Sequence, residues 1–373
     1  MTRRQRLMAT LRGEAVDRPA VSFYGVGGRK IDAGDPDPFN IYNDPSWQPL
    51  LALAEEQTDL IWARRPLLRA APNPFVSRES REENGSRLTR TTLRVGGRTL
   101  SSLERRDRDI NTVWMLEPLL KDTDDLKAYL QLPDEVLAEE VDAANLIEED
   151  RQLGDRGIVM VDTADPIGEA AYLFSMEEYT VVAFTEGRLF HQLLDKCARF
   201  LYRRTEIVAR EFPGHLWRIY GPEYASEPFM PNRLFEEYVV GYTGPMVEMI
   251  QRHGGFARIH CHGRVRHLLR HFVAMGATAT DPLEPPPQGD ITLAQVRREF
   301  GRQLVLFGNI EITDIENLPP AQFEKVAAQA LRDGTAGQGR GFVLLPSDSP
   351  YGRTITPTTL ANYRTMVRLA NGG

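Results

Sequence analysis

A chain of 373 residues, 42% hydrophobic and 26% charged, has ample material for a packed core, which excludes disorder and leaves either two average domains or one α/β barrel. Its net charge of −7 is opposite in sign to a nucleic-acid surface, where basic residues gather on one face. The opening "MTRRQRLMATLRG" lacks the apolar stretch of a secretory signal, and no run of about 18 apolar residues follows, so the expectation is a cytosolic protein that acts on a small molecule and binds neither nucleic acid nor membrane.

Taken in chain order, "AVSFY" near residue 20 and "DLIWA" near 59 are short apolar runs with the look of buried strands. Residues 86–107, "SRLTRTTLRVGGRTLSSLERRD", alternate polar and apolar around Gly96-Gly97, which predicts a β-hairpin insertion near the mouth of the fold. "PLLKDTDDLKAYLQLPDE" predicts a short surface helix with an acidic start and a proline stop. The strand-like runs resume with "GIVMVD" near 157, "LWRIY" near 216, "FARIH" near 256, "TATD" near 278, "LVLFG" near 304 and "GFVLL" near 341. Amphipathic segments such as "LFEEYVVGYTGPMVEMIQRHGG" and "AQFEKVAAQALRDG" separate them, and a last helix starts at Thr356 as N-cap with Pro357 at its first position. Cys197 in "FHQLLDKCARFLYRR" lies at helical spacing with Leu193, Leu194, Phe200 and Leu201 and reads as a small core residue.

Strands alternating with helices require a parallel sheet, and eight such units predict an α/β fold of the (β/α)8 TIM barrel type, one domain over residues 1–373. The competing doubly wound open sheet finds no support in "YGVGGRK", which lacks the G-x-G-x-x-G spacing.

Barrel sites lie where strands end. "FARIHCHGRVRHLL" places His260 and His262 there, and strand alternation turns both one way and Cys261 the other. They are either a His-x-His metal pair or two histidines hydrogen-bonded within a polar loop. The last strand ends in Ser347, Asp348, Ser349, Tyr351 and Arg353; "LWRIY" ends in Glu223 and Tyr224; Asp162, Asp281 with Glu284, and Asn309 with Glu311 end three others. An Asp in such a place either caps a helix or enters a site. Two histidines with Asp348 or Glu223 would leave an open coordination position; zinc suits that donor set best, and Fe(II) is compatible with it.

An ordered set of segments resembles the uroporphyrinogen decarboxylase superfamily, which includes cobalamin-linked methyltransferases: "RRQRLMATLRGEAVDRPAV", "PLLKDTDDLKAYLQLP", "FARIHCHG", "LFGNIE" and "GRGFVLLPSDSPYGRTITPTTLANYRTMV". They span almost the whole chain. The decarboxylase branch carries Arg-Gln-Ala-Gly-Arg-Tyr after the first strand, whereas "VSFYGVGGRK" retains only Arg29 and Lys30, and no aspartate follows "DLIW". The zinc motif of the methyltransferase branch is His-x-Cys-Gly with a second Cys after the last strand. Against it, His260 matches, His262 replaces the first Cys, Gly263 matches, and Asp348 or Ser347 replaces the second. Imidazole and carboxylate leave a metal harder than thiolates do, which favours an oxygen-containing substrate over a thiol.

The resemblance therefore implies a zinc-dependent methyltransferase-like enzyme with metal ligands His260, His262 and Asp348. Glu223 is an additional ligand or acid/base, and Tyr224, Tyr351 and Arg353 orient the substrate. Cobalamin would arrive on a separate corrinoid protein, and a homodimer is implied. Two alternatives stand beside it: a metal-free decarboxylase of a small or aromatic acid, with Arg353 and Arg29 as anchors and Asp348 as the acid, and a non-catalytic binding protein on the same barrel.

Overall fold

A computed structural model describes residues 1–29, 31–32, 34–70 and 73–372; Lys30 lies outside them. All eight apolar runs are strands: β1 (Ala20–Val21), β2 (Leu60–Arg64), β3 (Gly157–Ala164), β4 (Leu216–Tyr220), β5 (Phe256–His260), β6 (Ala279–Asp281), β7 (Val305–Ile310) and β8 (Phe342–Pro346). They form one curled parallel sheet in the order β1-β8-β7-β6-β5-β4-β3-β2, which is a TIM-barrel-like α/β fold. Strands covered on both faces have no need of polar alternation, which is why they read as continuous apolar runs. In β3, Ile158 and Met160 join an inner cluster with Leu216, Val305, Phe307 and Val343, while Val159 and Val161 pack against the helices.

Between β1 and β2 the ring is joined by one acidic residue. Asp59, fully buried, gives its backbone N–H to the Val21 carbonyl at 2.7 Å, and its carboxylate accepts the Val21 N–H at 3.0 Å. The same carboxylate holds Arg6 at 2.6 Å and Arg18 at 2.9 Å. Arg6 belongs to the helix Arg3–Arg12, whose Leu7 and Leu11 enter the inner cluster. This helix covers the end where strands begin, so the opposite end is left for a site.

Close approach of β2 and β3 demands glycine at 157: a Cβ there would stand 2.1 Å from the Leu60 carbonyl oxygen. Gly157→Ala is expected to lower the free energy of unfolding by about 1–3 kcal/mol through overpacking, read from denaturant melts.

Residues 86–107 pair as antiparallel strands Ser86–Val95 and Arg98–Asp107 around Gly96 and Gly97, both at positive φ (60° and 74°), as a two-residue hairpin turn requires. They are the inner pair of a four-stranded sheet completed by Val76–Glu83 and Val113–Glu117, two strands more than the sequence pattern suggested. The expected helices are present at Thr123–Leu130, Gly187–Glu211, Pro320–Thr335 and Pro357–Ala370, the last capped by Thr356. Among the described residues no helix is long and apolar enough to cross a membrane.

Candidate active site

Strand register builds the site. In β5, Arg258 and His260 are two residues apart and share a face; the ladder sets Arg258 beside Arg218 of β4, Arg218 beside Asp162 of β3, and His260 beside Asp281 of β6. Asp281 is fully buried, with one oxygen 3.0 Å from Arg258 Nε and the other 2.9 Å from His260 Nδ1. Burial alone would raise its carboxyl; the charge of Arg258 and the hydrogen bond from His260 outweigh it and hold the group at about 2. Burial also pushes His260 down, so its imidazole is neutral near neutral pH. A neutral ring that donates Nδ1–H to a carboxylate bears its lone pair on Nε2. Tyr24 stacks on this ring at 5.8 Å.

His262 repeats the arrangement one step beyond the strand. Its Nδ1 is 2.8 Å from Glu284 Oε1, and the other Glu284 oxygen accepts the Gly263 N–H at 2.6 Å. Burial would lower this imidazole, but the hydrogen bond to Glu284 and the charges of Glu284, Glu223 and Asp348 outweigh it and lift it to about 9. The two rings are perpendicular at 4.7 Å. Cys261 points away, buried, with its thiol pushed well up by that burial, and is inert packing.

Of the other residues singled out, Glu223 joins the histidines: all three line a cavity of about 430 Å³ with Tyr24, Arg65 and Arg218. Gly221, at φ 120°, makes the turn that presents Glu223, and its N–H donates to Glu223 Oε2 at 3.1 Å. Asp348 lines a neighbouring cavity of about 460 Å³. It accepts the Tyr351 hydroxyl at 2.6 Å and the Ser349 N–H at 2.7 Å, so Tyr351 reaches Asp348 rather than the histidines. The ring of Tyr224 packs edge-on against Tyr172 and Tyr179. Arg353 straps loops together, donating to the carbonyls of Arg108 (2.8 Å) and Pro38. Arg29 lies over the Tyr42 ring at 4.2 Å and reaches the larger cavity.

The donor set has the chemistry of a metal half-site: two imidazoles, each held through Nδ1 by a carboxylate behind it, as metal-bound histidines are. Among the described residues no three His, Cys, Asp or Glu side chains stand close enough together to hold a metal ion. A third ligand would have to come from Glu223, across the same cavity, or from Asp348.

Tyr24, Arg65, Arg218 and Arg258 were missed in the sequence. A signal existed for two of them: a single arginine at the centre of "LWRIY" and of "FARIH" has to face a polar lumen or be paired.

Residues 110–371 match the family model described as uroporphyrinogen decarboxylase (URO-D). The chain belongs to the URO-D family. A solved structure of the same fold is a methyltransferase from Methanosarcina mazei, with a TM-score of 0.62, 16% identity, and cover of 100% of this chain and 98% of that one. No curated protein matches the sequence. The departures from the URO-D decarboxylase motifs noted above fall beside the larger cavity, where Ser22, Phe23, Tyr24, Gly25 and Arg29 form the wall after β1.

Proposed function

We propose that this URO-D family member is a methyltransferase-like enzyme whose chemical centre is the pair His260 and His262. The observation that carries the reading is the matched pair of carboxylate-held imidazoles on one cavity wall with Glu223. In the reaction proposed, the bond between a methyl carbon and a substrate oxygen breaks as that carbon bonds to a nucleophile on a separate corrinoid protein; the oxygen keeps the bonding pair. Zinc on His260 and His262, with Glu223 or Asp348 as third ligand, would supply Lewis acidity to that oxygen. The chain itself orients the rings through Asp281 and Glu284, and Tyr24 and Arg218 wall the cavity between the histidines and the larger cavity. The acidic surroundings that lift His262 favour a cation there, whether proton or metal. We take the antiparallel sheet as an insertion over the barrel mouth: Arg106 reaches the Phe39 carbonyl, and Asn111, just beyond it, lines the larger cavity.

Elemental analysis of untagged protein, wild type and His262→Ala, tests the reading. About one zinc per chain, absent from the variant, is expected, together with methyl transfer from an oxygen donor to a reduced corrinoid that the variant lacks. A wild type that takes up no metal on reconstitution overturns it.

A further inference from the structure

The larger cavity shares Tyr24, Arg65 and Arg218 with that of the histidines. Five arginines line it against two aspartates, Asp162 and Asp348, so its wall is net positive. Two of these arginines are unusual. Arg258 is 1% exposed; its Nε faces Asp281 at 3.0 Å, its guanidinium lies 4.8 Å over the Phe307 ring, and its terminal nitrogens donate to no described residue. Arg218 gives Nε to Asp162 at 2.6 Å and stands 5.1 and 5.3 Å from the Tyr24 and Tyr220 rings, and its terminal nitrogens likewise have no hydrogen-bond partner among the described residues. Neighbouring strands set the two guanidinium groups side by side.

Both arginines border the cavity with no acceptor for their terminal nitrogens among the described residues, and a guanidinium fork matches a planar carboxylate through two parallel hydrogen bonds. The rest of the wall, Phe23, Ile61, Met160 and Leu345, is apolar. A phosphate would leave that apolar wall without a partner, which favours a carboxylate carried on an apolar body. We infer that this cavity binds a carboxylate, so that the substrate is a small monocarboxylic acid with an apolar body, its carboxylate on Arg218 and Arg258. That its reacting end extends past Tyr24 to the histidines rests on the function proposed above; the carboxylate subsite itself does not.

Titration calorimetry with benzoate and hexanoate, against benzamide, hexanamide and inorganic phosphate, tests the subsite in four proteins: wild type, Arg65→Gln, Arg218→Gln and His262→Ala. Wild type is expected to bind the carboxylates at least about tenfold more tightly than the amides, in keeping with charge-assisted hydrogen bonds, and more tightly than phosphate. Arg218→Gln removes that preference. Arg65→Gln, at a side chain 63% exposed and so safe for folding, weakens carboxylate binding several-fold and decides the matter if Arg218→Gln does not fold. His262→Ala keeps the preference even if it loses zinc and methyl transfer, which separates this inference from the functional reading. Amides or phosphate binding as well as carboxylates to wild type, or carboxylates binding undiminished to Arg65→Gln and to a folded Arg218→Gln, overturns it.

Discussion

Asp281→Asn is expected to cost about 3–5 kcal/mol of unfolding free energy at pH 7, the range for removing one member of a buried ion pair. Asparagine keeps the shape, so what is lost is charge. Arg258, fully buried, would face His260 and Arg218 with no anion at 3.0 Å to offset it, and the His260 ring would lose the acceptor that orients it. The acid limb gives a second readout. A carboxyl held at about 2 in the folded protein and near about 3.9 in the unfolded chain contributes stability that is complete above the higher value and vanishes as pH falls through the lower. The gap between wild type and variant in urea unfolding should thus be constant from pH 5 to pH 8 on the scale of about half a kcal/mol and shrink toward pH 2. A variant as stable as wild type at pH 7 would show that Arg258 finds its compensation elsewhere.

Glu284→Gln should act on metal affinity and on pH dependence together. A carboxylate that holds a ligating histidine from behind is worth about 10–100-fold in metal affinity, so competition against a chromophoric chelator should show zinc bound that much more weakly. In metal-free protein, His262 is lifted to about 9, above its ordinary value of about 6.5. A raised imidazole contributes stability that is complete below the ordinary value and is lost as pH rises through the folded one. Metal-free wild type should therefore lose thermal stability between about pH 6.5 and pH 9, and Glu284→Gln should lose much less across that window. Because His262 is about a third exposed, solvent screening makes the slope modest, and the comparison of slopes rather than their size is diagnostic. Parallel slopes would mean that Glu284 does not hold the proton on His262.

Much of the fold was legible because a strand buried on both faces advertises itself: "GIVMVD", "LVLFG" and "GFVLL" cannot be solvent-facing and are too short for helices. The alternation argument placed His260 with His262 and turned Cys261 away, and the rings at 4.7 Å agree with it. Partnership was harder to read. Asp281 and Glu284 were visible as polar residues after a strand, yet that each stands behind one histidine depends on the β5–β6 register, a long-range property that short strands do not encode locally. Distance along the chain likewise hid that Arg353 serves the carbonyls of Arg108 and Pro38, whereas Tyr351 engages Asp348 within one loop, a local pairing that the residue pattern alone does not specify. The two extra strands of the antiparallel sheet were missed for a compositional reason: Val76–Glu83 is exposed throughout and mostly charged or polar, so no apolar face marks it.

The junction of β1 and β2 has a mechanical consequence. Where the other strands are laced by ladders, this one is a clasp of Asp59 with Arg6 and Arg18, and in the strand order it lies away from β5 and β6, which carry the histidine and its aspartate. A ring with a polar clasp has a preferred place to breathe. Opening there would spread the wall after β1, on the side of the arginine-lined cavity, while the ladder that sets His260 against Asp281 stays intact.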